Sequence, residues 1–368
     1  MSEWKEYKLG DIITMNYGKA LKEQDRIFGD IPVYSSAGIT GYHNQAMINS
    51  KGIIIGRKGT IGKIYFSTTP FCCIDTAYYI LPDDKKYDFK FLFFLLQTLE
   101  LHELNEDSAV PGLNRETAYG QNILLPDKSE QIQIASILSS LDDKIDLLHR
   151  QNKSLEQLAE TLFRKWFVEE AEESWERKKI SEIIDVRDGT HDSPKQTKTG
   201  KYLITSKHLK PSGIDFDNAY KISEEDFIEV NKRSKVDKND ILFSMIGTLG
   251  LIHYVDREPD FAIKNMGLFK SSQNPLFSNF LFLLLKSPEG KKYIYENADG
   301  STQEYITLGS LRNFAFKYPG EQRIEKFDLE VQPLFQKINA NKNQILTLTQ
   351  LCDTLLPKLM SGEVIVNL

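Results

Sequence analysis

Gly56-Arg57-Lys58-Gly59-Thr60-Ile61-Gly62-Lys63 is the segment whose residue types best suit phosphate chemistry. Its glycines permit close backbone approach, while Arg57, Lys58 and Lys63 supply positive charge. It is not a nucleotide-binding P-loop. That motif needs a glycine five positions before the Gly of its Gly-Lys and a hydroxyl directly after the lysine, and Arg57 and Ile64 stand there instead. Two readings remain: a tight hairpin turn, or a loop laid against a nucleic-acid backbone with Arg57 and Lys58 neutralising phosphates or reading guanine edges. Thr60 adds a hydroxyl within the loop, and Ser35 and Ser36 are placed near the same surface.

A second group of donors and acceptors lies far along the chain. Asp188-Gly189-Thr190-His191-Asp192-Ser193-Pro194-Lys195 reads as a turn, which accounts for its Asp, Gly, Ser and Pro but less well for His191. Ser206, Lys207, His208 and Thr248 belong with His191 and Lys195 as candidate nucleic-acid contacts, as do Ser301, Thr302 and Gln303. Catalytic chemistry finds no comparable support. Asn274-Pro275-Leu276-Phe277 lacks the second proline of the Asn-Pro-Pro-aromatic tetrapeptide of amino-methyltransferases, and no glycine-rich cofactor fingerprint precedes it. Pro82-Asp83-Asp84-Lys85 is a polar turn, and the 6 histidines show no metal-ligand spacing. With Cys72 and Cys73 adjacent and Cys352 distant, neither a disulfide framework nor a metal site emerges, so no catalytic or metal-binding residue is assigned.

These segments are positioned by a repeat. Trp4-Lys5-Glu6-Tyr7-Lys8-Leu9-Gly10-Asp11-Ile12-Ile13 aligns with Trp175-Glu176-Arg177-Lys178-Lys179-Ile180-Ser181-Glu182-Ile183-Ile184. Residues 53–62 align with 241–250, and Glu130-Gln131 with Glu321-Gln322. Two copies are too few for a solenoid, so the repeat implies two homologous domains related by a pseudo-twofold. Short β-like runs are predicted at 31–34, 52–55, 62–66 and 77–81, and again at 202–205, 241–244 and 251–255. The step from Ser35 to Ile53 takes 18 positions and the step from Thr205 to Ile241 takes 36, so the second copy carries an insertion and the two surfaces should not read the same target.

Each copy ends in a heptad seam. Ile134, Leu138, Leu141, Ile145, Leu148, Asn152, Leu155, Ala159 and Leu162 are spaced alternately by four and three, and Phe327, Val331, Leu334, Ile338, Asn341, Ile345, Leu348, Cys352 and Leu355 repeat the phase. A helix over residues 130–167 would be about 57 Å long at 1.5 Å per residue. The two helices should run antiparallel, with Leu148 opposite Ile345, Leu155 opposite Ile338, and Asn152 facing Asn341 to fix the register. Pro333 removes a backbone bond and crowds the preceding turn, so two outcomes stay open: a continuous second helix, or one that starts only at Pro333 with residues 323–332 as a separate kinked turn. A charged connector at 168–174 is answered by a tail after Gly362, which is expected to pack back near the start of the chain and make the molecule quasi-circular.

Composition sets limits. The chain has 368 residues, of which 40% are hydrophobic and 27% charged, as in ordinary globular proteins. The apolar runs at 89–96 and 277–285 are too short to span a bilayer and are predicted to be core helices. No secretory signal opens the chain, so a cytoplasmic location is expected. The net charge of −6 argues against a simple nucleic-acid coat protein, yet residues 31–74 and 193–214 contain no acid while carrying several lysines.

Two variable heads each followed by a long helix, the Trp at each head's start, Asp188-Gly189-Thr190-His191, Pro126 with Glu130-Gln131, Pro319 with Glu321-Gln322, and Leu355-Leu356-Pro357-Lys358-Leu359-Met360-Ser361-Gly362-Glu363 resemble the specificity subunit of type I restriction-modification systems, over the whole chain. The resemblance implies an α+β fold of two pseudo-twofold-related target recognition domains, residues 1–127 and 171–319, joined by two antiparallel coiled-coil spacer helices, one in residues 128–170 and one that, with a C-terminal tail, makes up residues 320–368. Each head would read one half of a split, asymmetric double-stranded DNA target, and the helices would set the spacing. It further implies two methyltransferase subunits as partners, restriction and translocase subunits besides, no membrane, and no catalysis by this chain. S-adenosylmethionine, ATP and Mg would belong to those partners, with no cofactor here. Two other readings stay open: a coiled-coil protein-interaction scaffold that binds no DNA, and a self-contained DNA-modifying enzyme, which the absent cofactor motifs disfavour.

Overall fold

The computed structural model describes residues 4–104, 112–211, 213–300 and 303–364. It divides into two compact units, one of residues 1–148 and 344–368, the other of residues 149–343, so each unit holds a head and a part of both long helices. Among the described residues no helix is long and apolar enough to cross a membrane.

In the first unit a four-stranded antiparallel sheet runs in the order Asn16–Tyr17, Ala77–Ile80, Gly52–Gly56, Ile64–Ser67. A three-stranded sheet places Ile31–Ser35 between Gly38–His43 and the parallel strand Cys72–Cys73. The run Ile53-Ile54-Ile55 shows why no polar alternation marked the central strand. Side chains alternate across a strand, and both faces here are covered: Ile53 and Ile55 enter the main core, while Ile54 enters a smaller cluster with Tyr34, Phe71 and Cys73. Helix Phe89–Gln97, begun by the Asp88 carboxylate accepting from the Phe91 N–H at 2.8 Å, buries Phe91, Leu92, Leu95 and Leu96 in the main core. Lys5–Lys8 pairs antiparallel with Asn122–Leu125 and ties the head's first strand to its last.

The second unit repeats this design. Its four-stranded sheet is ordered Val186–Asp188, Met266–Phe269, Ile241–Ser244, Ile252–Tyr254, and its three-stranded sheet sets Lys201–Thr205 between Tyr220–Ile222 and the parallel strand Phe261–Lys264. The alternation recurs as well: Ile241 and Phe243 face the main core, and Leu242 faces a second cluster with Ile204 and Ile263. The added residues of this copy form the hairpin Leu209–Lys210 with Gly213–Ile214, and the helix Glu224–Ser234.

Lys128–Arg164 and Glu321–Met360 are the two long helices. Every seam residue predicted on them is buried or half-buried, while most positions between are exposed. The second helix runs unbroken through Pro333, which settles the two outcomes its sequence left open. Val331 and Phe327, both fully buried, hold the turns before the proline against the core, and Leu329, whose carbonyl loses its helical partner, is 70% exposed and open to water. In the second unit Asn152 bonds Asn341, the rings of Phe163 and Phe327 lie 6.1 Å apart, and the Arg323 guanidinium donates to the Trp166 carbonyl at 3.1 Å. Residue numbers rise on one helix as they fall on the other, so the helices are antiparallel there. In the first unit Ile134 and Leu138 share a core with Leu355, Leu356, Leu359 and Met360.

The Asn341 carboxamide nitrogen donates to Asn152 Oδ1 at 2.8 Å inside the seam, and Asn341 Oδ1 has no partner among the described residues. Such a pair costs stability relative to leucines and favours the one register that satisfies it. Asn341→Leu is expected to lower the stability of this unit by roughly 1–3 kcal/mol, because Asn152 is left buried and unpaired. Adding Asn152→Leu should recover most of that loss; a thermal-melting double-mutant cycle measures both, and equal losses in single and double variants would contradict the pairing.

Trp4 and Gly362 meet within the first unit. A Cβ at Gly362 would lie 3.2 Å from the indole, and the Trp4 Nε1–H donates to Glu130 at 3.3 Å. Residues 365–368 of the expected tail lie outside the described residues.

Candidate nucleic-acid interface

The segment that best suited phosphate binding is a loop between two antiparallel strands, and the second unit builds it again. Gly56 N–H donates to the Lys63 carbonyl at 2.9 Å and Gly62 N–H to the Gly56 carbonyl at 2.9 Å; Ser244 N–H donates to Leu251 at 2.9 Å and Gly250 N–H to Ser244 at 3.2 Å. Gly59 and Gly62 have φ of +79° and +71°, and their counterparts Gly247 and Gly250 have +81° and +75°. That backbone region strains any residue with a Cβ, which is why the glycines recur although the residues before them, Arg57-Lys58 and Met245-Ile246, differ. At Gly62 space is also closed, since a Cβ would fall 2.3 Å from the His102 nitrogen. Each loop is held from outside by the same later segment: Leu113 N–H bonds the Arg57 carbonyl at 2.8 Å, and Ile306 N–H bonds the Met245 carbonyl at 2.9 Å.

In the first head Lys58, Thr60 and Lys63 are exposed on this loop and Arg57 is half-buried at its root. The Arg57 guanidinium donates to the Asp75 carbonyl at 3.1 Å and lies 4.9 Å from the centre of the Tyr17 ring. Arg115 approaches the same ring at 5.2 Å. Tyr17 is thus an exposed aromatic between two cations, an arrangement that holds a guanidinium flat and limits its rotamers. Sequence reasoning missed Tyr17 and Arg115, which lie 40 or more positions from Arg57; only the strand pairing of Asn16–Tyr17 with Ala77–Ile80 brings Tyr17 there. Ser36 is buried beside the loop, its Oγ 3.7 Å from where a Gly59 Cβ would stand. The Ser35 hydroxyl closes its own turn, accepting from the Ala37 N–H at 3.1 Å.

In the second head Ser206, Lys207, Lys210, Thr248, Asn265 and Gln303 line one groove of about 520 Å³. The structure therefore gathers Ser206, Lys207, Thr248 and Gln303, four of the residues singled out in this copy. It does not gather all of them. His208 is 1% exposed, its Nδ1 accepting from the Thr205 N–H at 3.0 Å, and burial followed by the nearby Lys207 charge depresses its pKa. It caps a turn inside the head and does not reach the groove. Lys195 is exposed on the acid-free run but does not line the groove, and Ser301 and Thr302 lie outside the described residues. His191 is exposed, with Nε2 at 2.9 Å from Asp188 and Nδ1 at 2.8 Å from Asn265. Asn265, at the turn between Phe261–Lys264 and Met266–Phe269, carried no sequence signal of its own. Its φ of +50° marks it, since asparagine is among the few residues that tolerate that conformation.

Among the described residues no group of three or more His, Cys, Asp or Glu side chains could hold a metal ion.

The fold is that of the S subunit of a type I restriction-modification system from M. genitalium, whose crystal structure superposes with a TM-score of 0.64 at 20% identity, covering 98% of this chain and 96% of that one. The sequence is 26% identical to the MjaIX specificity subunit of the type I restriction enzyme of Methanocaldococcus jannaschii, over 98% of this chain and 93% of that protein. It is 23% identical to the HindI specificity subunit of Haemophilus influenzae, over 99% and 100% respectively. Residues 1–157 and 172–349 both match the type I restriction modification DNA specificity domain. The chain belongs to this family, the DNA-recognising specificity subunits of type I restriction-modification systems, and carries its domain twice.

Proposed function

We propose that this chain recognises DNA and performs no chemistry on it, each head contacting one half of a split target through the glycine-framed loop and the surface beside it. One observation carries the reading: the two heads share a loop frame, with three equivalent backbone bonds and two equivalent left-handed glycines, while presenting Arg57-Lys58-Gly59-Thr60 in one and Met245-Ile246-Gly247-Thr248 in the other. A common frame with divergent side chains suits two surfaces that bind the same polymer and read different sequences. The hairpin and helix added to the second head extend that difference.

Methyl transfer to adenine, with its S-adenosylmethionine, belongs on this reading to methyltransferase subunits, two of them, docked on the helices and heads. ATP- and Mg-dependent translocation and cleavage belong to restriction subunits. The two long helices act as the spacer between the half-sites. Mapping methylated adenines in a host genome with and without this chain tests the proposal directly. One bipartite, asymmetric motif with a fixed gap should disappear with the chain; an unchanged methylation pattern would refute DNA recognition and favour the scaffold.

A further inference from the structure

We infer that Asn265 reads an adenine edge in the half-site of the second head, and that His191 is the residue that positions it. The inference rests on the reading of the Ser206–Thr248 groove as a DNA surface. Asn265 lines that groove, and its backbone sits in the left-handed region at φ +50°, fixed by its N–H donating to the Thr190 carbonyl at 3.1 Å and its carbonyl accepting from the Ser206 hydroxyl at 2.8 Å. The side chain is fixed separately. Its Oδ1 lies 2.8 Å from His191 Nδ1, and the opposite ring nitrogen lies 2.9 Å from Asp188 Oδ2. Asp188, 8% exposed, is itself held by the Arg233 guanidinium on its other oxygen. A chain of contacts therefore runs from Arg233 through Asp188 and His191 to one end of the Asn265 carboxamide.

The other end, Nδ2, finds no partner among the described residues. A carboxamide so held presents one N–H donor and the second lone pair of Oδ1 side by side, the pair that adenine meets with N7 and its 6-amino group. Preorganisation is what distinguishes this residue from Gln303 across the groove, which is exposed and carries one more rotatable bond. The same contacts explain His191, the residue of its turn that turn chemistry did not explain. With both ring nitrogens engaged inside the head, its role is to orient the asparagine.

The test uses the whole complex of this chain with its methyltransferase subunits, assayed for initial methylation rate on duplexes carrying every single base-pair change in the second half-site. Asn265→Gly, which keeps the positive φ, should reduce discrimination at one adenine position by roughly 10- to 100-fold. Asn265→Asp, isosteric but without the donor, should shift preference at that position toward cytosine, whose 4-amino group needs only an acceptor. His191→Ala should relax the same position and no other, and the double variant His191→Ala with Asn265→Gly should be no worse than Asn265→Gly alone. A uniform fall over all sequences, relaxation at different positions for the two residues, or unchanged preference would each overturn the inference. Lys207→Glu with Lys210→Glu separates the two levels: if it leaves every rate unchanged, the groove is not a DNA surface at all. If it slows all sequences alike while the His191 and Asn265 variants keep full discrimination, the groove reading stands and this inference alone fails.

Discussion

Reversing two charges together, Arg57→Glu and Lys58→Glu, is expected to weaken target binding by the complex by about 100-fold or more at physiological salt. Each lost contact to a base edge or phosphate is worth roughly 1–3 kcal/mol, and each new carboxylate adds repulsion from the DNA. The dependence of log affinity on log salt should fall by about 1 to 2 units as the neutralised phosphates are lost. Salt titration of binding to the cognate duplex measures both quantities. Lys58 separates binding from folding, because its side chain is exposed and the chain holds this residue by backbone bonds, its N–H to the Thr76 carbonyl at 3.0 Å. Lys58→Glu alone should therefore leave the melting temperature unchanged and still cost roughly tenfold in affinity. Arg57 also stacks on Tyr17, so the double variant should lose a little stability as well. Unchanged binding by the double variant would favour the scaffold reading instead.

Asp240→Ala is expected to destabilise the second unit by about 3 kcal/mol, near the low end for breaking a buried ion pair. The Lys270 ammonium is 3% exposed as a residue and meets Asp237 at 2.7 Å, the Lys235 carbonyl at 3.1 Å and the fully buried Asp240. Removing Asp240 leaves a buried cation with one carboxylate, and also strips partners from the Ser272 N–H at 3.1 Å and the Asp237 N–H at 2.7 Å. Denaturant unfolding followed by a probe in this unit should show the loss. Asp240→Leu with Lys270→Met should restore much of it, since no charge then remains buried. The cluster also has a pH sign. Burial works against ionisation of Asp237, yet bonds from Lys235 and Lys270 outweigh it and hold its pKa below the usual carboxylate value. Its contribution is present above the ordinary aspartate pKa of roughly 3.9 and is lost as pH falls through the lower folded value. Because Asp237 to Asp240 leads into the strand Ile241–Ser244, the same cluster anchors the root of the second loop.

Much of the architecture was readable along the chain because it rests on local periodicity. The strands over 52–56 and 241–244 and the helices at 89–97 and 278–286 follow from short apolar runs between turn residues. The long helices follow from spacings of four and three, and Asn152 beside Asn341 from those spacings plus an antiparallel sense. The effect of Pro333 was not readable, because its local cost is weighed against the burial of Phe327 and Val331 on the turns before it, which only tertiary packing supplies. The groups at the candidate interface were less readable. Arg57 and Thr248 were visible as charged or polar residues in a glycine frame, but nothing along the chain shows that Tyr17 lies under Arg57, that His208 turns inward, or that Asn265 completes His191 from 74 positions away.

By itself the sequence determined the repeat, the glycine frame of both loops and the heptad phase. Each is a property of neighbouring residues, set by backbone sterics or by the period of a helix or strand. Only the tertiary structure decided which side chains share a surface, because strand pairing and sheet order bring together residues whose separation along the chain carries no signal. The chain thus declares two similar frames, and the packing of each head decides which residues those frames present.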